Sequence, residues 1–389
     1  MNRLLPVALL LGAGLALLGG CVDRYTPEVA PVDRASLVVD GFINPVGSTV
    51  IKLSRSFSVN TKSAAPVEAK AQVFIQDDAG RRYGLAESPA GTYTSASLAL
   101  DLARQYQLRL TTAQSREYAS DLAPVTPTPA IDSLTWQLTP QQGAQLYLNT
   151  HAPSTAARYY RWDYDETWQF TSYYQSGLEY VAASNSVEER PAERQIFKCW
   201  RTESSTAIVQ GNTTQLSQNT LASFPLLLLP PSDKLRYGYS LLVRQVAQSQ
   251  AEYEYWERLR KNTEALGTVN DPLPARVTGN VHALADPAEA VLGYVGVHSR
   301  TEKRLFIDGA RFPTPRPGSV FYSPLYAFCA GTVGPSVLIT DPFYLQQFRD
   351  GFLVPIKRSD LAPNYIFVAT TGCVDCRVHG TNVKPSYWP

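Results

Sequence analysis

Tyr159-Tyr160-Arg161-Trp162-Asp163-Tyr164-Asp165-Glu166-Thr167-Trp168-Gln169-Phe170 is the stretch that decides the fold class. Tyr160, Trp162, Tyr164, Glu166, Trp168 and Phe170 alternate with Tyr159, Arg161, Asp163, Asp165, Thr167 and Gln169. A period of two, with one face mostly aromatic and the other mostly polar, is the signature of a strand that buries one side. Glu166 interrupts the aromatic face, so it needs a structural partner there, an Arg or a Tyr.

Outward from this strand the same texture continues. Ile131 to Leu138, Gln145 to Thr150, Ile196 to Trp200, Ala207 to Gln210 and Leu235 to Val246 read as strands, while 171–194 loses the pattern and reads as a polar loop. Ser249-Gln250-Ala251-Glu252 is a capping box, in which Ser and Glu side chains each satisfy a backbone N–H of the first turn. It opens an amphipathic helix near 249–266, with Tyr253, Trp256, Leu259 and Leu266 at mostly helical spacing. A lone helix of this kind in a β-rich chain packs on a sheet. Val277 to His282, Val291 to Val297 and Lys303 to Asp308 are expected in one sheet, 309–336 as a loop, and Tyr365 to Thr370 as a last strand. Toward the N-terminus, Ala123-Pro124-Val125-Thr126-Pro127-Thr128-Pro129 reads as a stiff connector over 123–130. Before it lie short strands at regular spacing with turns such as Asp77-Asp78-Ala79-Gly80, the pattern of a sandwich. The expected fold is therefore mainly β. An N-terminal immunoglobulin-like β-sandwich over 35–122 precedes a larger β-rich domain over 131–389, which carries the one main helix and a disulfide-stapled C-terminus.

The first residues say where the chain goes. Met1-Asn2-Arg3 is basic, Leu4 to Leu18 is apolar with small residues, and Leu18-Gly19-Gly20-Cys21 closes the run. This is a secretory signal over 1–20. The cysteine after Leu-Gly-Gly makes it a lipoprotein signal, in which the Cys21 thiol accepts diacylglycerol and becomes the new N-terminus. At about 15 residues the apolar run falls short of the roughly 20 that span a bilayer. Residues 21–34 then read as a polar, proline-bearing tether. Val22 rather than Asp follows Cys21, which favours the outer membrane over retention in the inner one.

Charge is balanced, with 35 Lys+Arg against 34 Asp+Glu and no basic patch, which argues against nucleic acid as a partner. Membrane contact falls to the N-terminal lipid. Beyond Cys21 the cysteines are Cys199, Cys329, Cys373 and Cys376, an even set in an exported chain, and so disulfides. A bond within Cys373-Val374-Asp375-Cys376 would close a tiny loop and restrain little, so each of that pair is expected to bond to Cys199 or Cys329 and pin the tail beside the second domain's sheet. A redox pair would open a helix, which the following Arg377-Val378-His379-Gly380 does not resemble, and a zinc site from Cys373, Cys376 and His379 competes with oxidation.

The sequence shows no catalytic constellation. None of His151, His282, His298 and His379 sits in H-E-x-x-H, and G-x-S-x-G, P-loop and dinucleotide fingerprints are absent. Asp163 and Asp165 share a strand face about 7 Å apart, a spacing that glycosidase carboxylates use, but Arg161 on the same face makes a salt-linked ladder the expected outcome. The many Tyr and Trp serve a β core first, although stacked aromatics also bind sugars. Asp132-Ser133-Leu134 matches a short O-glycosylation pattern at Ser133. No cofactor or metal is expected.

Several strings together carry a family resemblance: Leu37-Val38-Val39-Asp40-Gly41-Phe42-Ile43-Asn44, Thr49-Val50-Ile51-Lys52-Leu53-Ser54-Arg55, Tyr160 to Trp168, Cys199-Trp200, Gly279-Asn280-Val281, Cys373 to Arg377 and the closing Lys384-Pro385-Ser386-Tyr387-Trp388-Pro389. In them the chain resembles the Bacteroidota envelope lipoproteins catalogued as domain of unknown function 4249. The resemblance implies an envelope lipoprotein commonly encoded beside a TonB-dependent outer-membrane receptor, and no mechanism. The leading expectation is a non-enzymatic outer-membrane lipoprotein that assists such a transporter, its ligand unspecified. A structural or adhesive surface protein is the alternative. A glycan-acting envelope enzyme using Asp163, Asp165 or Glu166 comes third.

Overall fold

The computed structural model describes residues 35–57, 65–152, 158–264, 277–312, 324–329, 334 and 336–389. The expected signal over 1–20, Cys21 and the expected tether over 21–34 lie outside the described residues. The fold is mainly β, an immunoglobulin-like sandwich followed by a larger β-rich unit.

In the N-terminal sandwich the strands Leu37–Phe42, Val50–Arg55, Gln72–Asp77, Arg82–Glu87, Thr92–Ser95, Gln105–Thr111 and Glu117–Ser120 belong to one hydrogen-bonded sheet. Alternate residues Leu37, Val39, Ile51, Leu53, Val73, Ile75, Leu108 and Leu110 point into its core. Here the structure corrects the expected domain division. Val281–Ala283 pairs antiparallel with Glu117–Ser120, and Val291–Leu292 pairs parallel with Leu37–Phe42. One excursion from the second half of the chain thus covers both edges of the first sandwich. Val281, Val291, Val295 and Val297 are buried in that sandwich's core. Of the three segments expected in one sheet, only Arg300–Asp308 joins the second unit. The physical reason is edge satisfaction: exposed strand edges need a partner, and this excursion supplies two.

The connector is likewise no free spacer. Ala123–Pro124 pairs with Gln105–Tyr106, Thr126 N–H donates to Val297 O at 2.9 Å, and Thr128 N–H donates to Ser299 Oγ at 2.9 Å.

The second unit is built on Tyr159–Thr171. Its neighbours are Lys198–Ser204 and Val209–Asn212 on one side and Gly238–Gln248, then Arg300–Asp308, on the other. Tyr160, Trp162, Tyr164, Trp168 and Phe170 are buried as the alternation predicts. They pack on Leu146, Leu148 and Leu221 from a facing sheet of Ile131–Leu138, Ala144–His151 and Thr220–Leu229, where the Trp162 and Phe224 rings lie 4.5 Å apart. The helix Gln250–Glu264 lies against the Tyr159 end, with Tyr253 and Tyr159 rings 5.0 Å apart.

A third layer closes the chain. Leu353–Arg358, Tyr365–Thr370 and Val337–Leu338 form a small sheet under the helix Pro342–Arg349, whose first turn Asp341 caps by accepting from Phe343 N–H at 2.9 Å. The stretch read as a loop over 171–194 holds a hairpin, Leu178–Val181 with Ser186–Glu189, docked on this sheet through the Ser176 hydroxyl, which donates to Pro355 O. The disulfides are Cys199–Cys376 and Cys329–Cys373, with Cα atoms 5.8 and 5.7 Å apart. Both CxxC residues therefore bond to the distant pair, and the zinc and redox alternatives have no free thiol. The tail is pinned as expected: Trp200 and Thr381 exchange backbone hydrogen bonds, and Trp388 is buried against Phe306 and Trp200.

Candidate functional site

A cleft of about 520 Å³ lies where the sandwich, the central sheet and the helix meet. The sandwich contributes Asp40 and Lys52, which face each other across neighbouring strands. The central sheet contributes its polar face through Arg161, Asp163, Asp165 and Arg244. The helix contributes Trp256 and Glu252.

The carboxylates of the central sheet are tied, but not by the arginine the sequence suggested. Arg244, directly opposite Asp163 in register, reaches Asp163 Oδ1 at 3.2 Å, bonds Asp165, and approaches Glu302 at 3.6 Å. Arg161 instead stacks its guanidinium 4.0 Å over the Trp256 ring. The hydrogen bond from Arg244 holds the Asp165 carboxyl below the usual carboxylate range; burial opposes this and the Ser204 hydroxyl adds to it. A depressed carboxyl stabilises the fold above the unfolded value, near 3.9, and that contribution is lost as pH falls through the folded one. Replacing Arg244 by Met should cost about 2 kcal/mol at pH 7 and shrink the stability difference between pH 7 and pH 3. Urea unfolding at both pH values checks this; an unchanged difference would refute the assignment.

Behind the cleft, Glu252 and His298 are both buried, with His298 Nε2 3.4 Å from Glu252 Oε1. Burial works against the Glu252 charge, but His298, Arg161 and the Gln248 amide outweigh it and hold the carboxyl below its usual range. Ser249 Oγ does accept from Glu252 N–H at 3.2 Å. The expected reciprocal half of the capping box is replaced, since the Glu252 side chain is directed at His298 and Gln248. His298 stacks on Phe42 of the sandwich at 4.3 Å, so this pair joins the helix to the first domain.

Glu166 stands outside the cleft. It accepts from Tyr239 Oη at 2.9 Å and pairs with Lys234 Nζ at 3.2 Å, a Tyr as expected and a Lys where an Arg was anticipated. Burial and then Glu166 push the Tyr239 hydroxyl far up. Ser133 is half-buried at a strand irregularity, its hydroxyl accepting from Asn149 Nδ2 at 2.9 Å. Among the described residues no group of three His, Cys, Asp or Glu is placed to hold a metal ion, and no helix is long and apolar enough to cross a membrane.

Sequence reasoning missed Arg244, Glu252, His298 and Trp256 as a group. A usable signal existed for Arg244, the lone charge within Leu241-Leu242-Val243-Arg244-Gln245-Val246. Glu252 and Trp256 share one helix at a spacing of four, but Arg244 lies outside it and His298 comes from a distant segment, and no local pattern joins them to it.

A sequence model of the family described as Domain of unknown function (DUF4249) matches residues 22–304, and the chain belongs to that family. The C-terminal strings from Cys373 onward lie beyond the matched stretch. No curated protein matches. Among solved structures, a two-domain fibronectin type III segment of chicken tenascin aligns at 9% identity, covering 55% of this chain and 91% of that one, with a TM-score of 0.17. The FN1-FN3 domains of chicken CNTN1 align at 11% identity over 55% of this chain and 62% of theirs, with a TM-score of 0.20. The Yersinia pseudotuberculosis adhesin InvE aligns at 15% identity over 55% of each chain, with a TM-score of 0.15. These overlaps are too shallow to transfer anything to this chain.

Proposed function

We propose that this DUF4249 protein is a lipid-anchored outer-membrane protein of a Bacteroidota-type envelope, and that it serves a TonB-dependent transporter as a non-enzymatic binding or accessory subunit, with the interdomain cleft as its ligand seat. The observation that carries the reading is how the acids are used. Asp163 and Asp165 are tied to one shared arginine, and Glu166 pairs with Lys234 and accepts from the Tyr239 hydroxyl. Groups tied in this way fix a surface; a general acid–base pair would need environments that set two carboxyl groups apart in proton affinity. The lipoprotein signal ending at Cys21 and two disulfides fit export to an oxidising compartment.

Affinity purification of the tagged full chain from membranes in mild detergent tests this. An outer-membrane β-barrel should co-elute, and Cys21→Ser should release the chain from the membrane fraction. Purification without a barrel partner would overturn the accessory role and favour the structural or adhesive reading. Hydrolytic activity on envelope glycans that is lost in Asp163→Asn or Glu166→Gln would overturn the non-enzymatic one.

A further inference from the structure

We propose a second binding site, unconnected with the cleft, for a single neutral sugar ring, either a free hexose or the terminal unit of a glycan. It is a pocket of about 200 Å³ in the second unit, where the stapled C-terminal region meets the central sheet. Five aromatic side chains line it: Phe170, Tyr173, Phe197, Tyr237 and Tyr326. Flat apolar faces of this kind match the C–H faces of a pyranose, and a few placed polar groups then fix its orientation.

The polar groups present are those a polyol needs. Asp233 supplies an acceptor, Arg236 donors, and Tyr326 a hydroxyl that does both. Tyr326 is 3% exposed, yet its hydroxyl has no hydrogen-bond partner among the described residues. A buried hydroxyl left unpaired is unfavourable, and a ligand hydroxyl that reached it would relieve this. Burial, with smaller contributions from Asp375 and Asp233, pushes this hydroxyl up to about 12, so it stays a donor at neutral pH. Arg236 lies over the Tyr237 ring at 5.0 Å and forms no ion pair among the described residues. An Asp and an Arg left apart suit vicinal hydroxyls, which both accept and donate, better than a charged ligand that would leave one of the two opposed.

The back of the pocket explains part of the stapling. Tyr326 sits three residues before Cys329, whose bond to Cys373 fixes that turn, and the His379 ring meets Tyr326 edge-on at 5.5 Å. Phe170 lies directly opposite Cys199, which bonds to Cys376. Gly380 packs so closely that a Cβ there would sit 2.9 Å from the Phe170 ring.

The test is saturation-transfer NMR and calorimetry of the full chain with D-glucose, D-galactose, D-mannose and N-acetyl-D-glucosamine. At least one should bind with a millimolar dissociation constant. Tyr326→Phe should weaken it about five-fold and Asp233→Asn by about ten-fold, from the usual worth of neutral and charge-assisted hydrogen bonds. Tyr326→Phe removes one oxygen, so it remains decisive should Asp233→Asn fail to fold. Absence of binding by all four sugars at tens of millimolar would overturn the proposal. So would a sugar whose affinity is the same in both variants. Arg244→Met, which alters the cleft, should leave sugar binding unchanged, and a loss there would place the sugar in the cleft and overturn the second site.

Discussion

Replacing Cys199 and Cys376 together by Ser is expected to lower unfolding stability by about 5 kcal/mol, and the Cys329/Cys373 pair by about 4 kcal/mol. The two bonds span 177 and 44 residues. Loop-closure entropy rises with the logarithm of loop length, so the longer loop restrains the unfolded chain only slightly more than the shorter. Most small domains have 5–15 kcal/mol in all, so either loss is a large fraction. The consequence goes beyond the unfolded state. Without Cys199–Cys376, the tail that places Trp388 against Phe306 and Gly380 against Phe170 is held by the Trp200–Thr381 bridge, the hydrogen bond from Cys376 N–H to Ile196 O, the Cys329–Cys373 bond at its start and side-chain contacts. Urea unfolding of both double variants beside the oxidised parent checks the size. Losses under about 1 kcal/mol would mean that packing alone orders the C-terminal third, and the stapling argument would fail.

How far the sequence could be read depended on the range of the forces involved. The Tyr159–Thr171 strand was legible because alternation is a property of consecutive residues, and the helix because Ser249 and the apolar spacing are local. The disulfides were legible because an even cysteine count and loop entropy constrain pairing without any coordinates. The cleft was not. Within one strand, Arg161 is two residues from Asp163 and about 7 Å away, while a residue directly opposite on the neighbouring strand comes within about 5 Å. Register, which no sequence pattern displays, therefore gave the acids to Arg244 and released Arg161 to Trp256. The same limit hid the return of 281–297. Those short apolar segments look alike whichever sheet they join, and only close backbone contacts decide between sheets.

Those contacts make the second large prediction. Gly293→Ala should destabilise the protein by about 3–5 kcal/mol and unfold the N-terminal sandwich ahead of the rest. Gly293 has φ +122°, a conformation an L side chain rarely adopts, and a Cβ there would lie 1.9 Å from Val39 O. Gly279 packs on the other side, where a Cβ would lie 1.5 Å from Gly293 O. Three backbone segments thus cross with no room for a side chain, which is why glycine is needed at both positions. Asn280 locks the crossing, its Oδ1 accepting from Val295 N–H at 2.8 Å and its Nδ2 donating to Val295 O at 3.0 Å. Forcing the strands apart would expose both edges that the excursion covers, and with them Val281 and Val291. The readout exploits where the tryptophans lie. All six, from Trp136 to Trp388, fall in the second unit, and none in the sandwich. In the variant, circular dichroism should therefore show an early transition that tryptophan fluorescence follows only weakly, through Trp256 at the cleft, whereas the parent should give one curve by both probes. A variant that unfolds in a single coincident transition at the parent's midpoint would show that the excursion is ornament and that the sandwich closes without it.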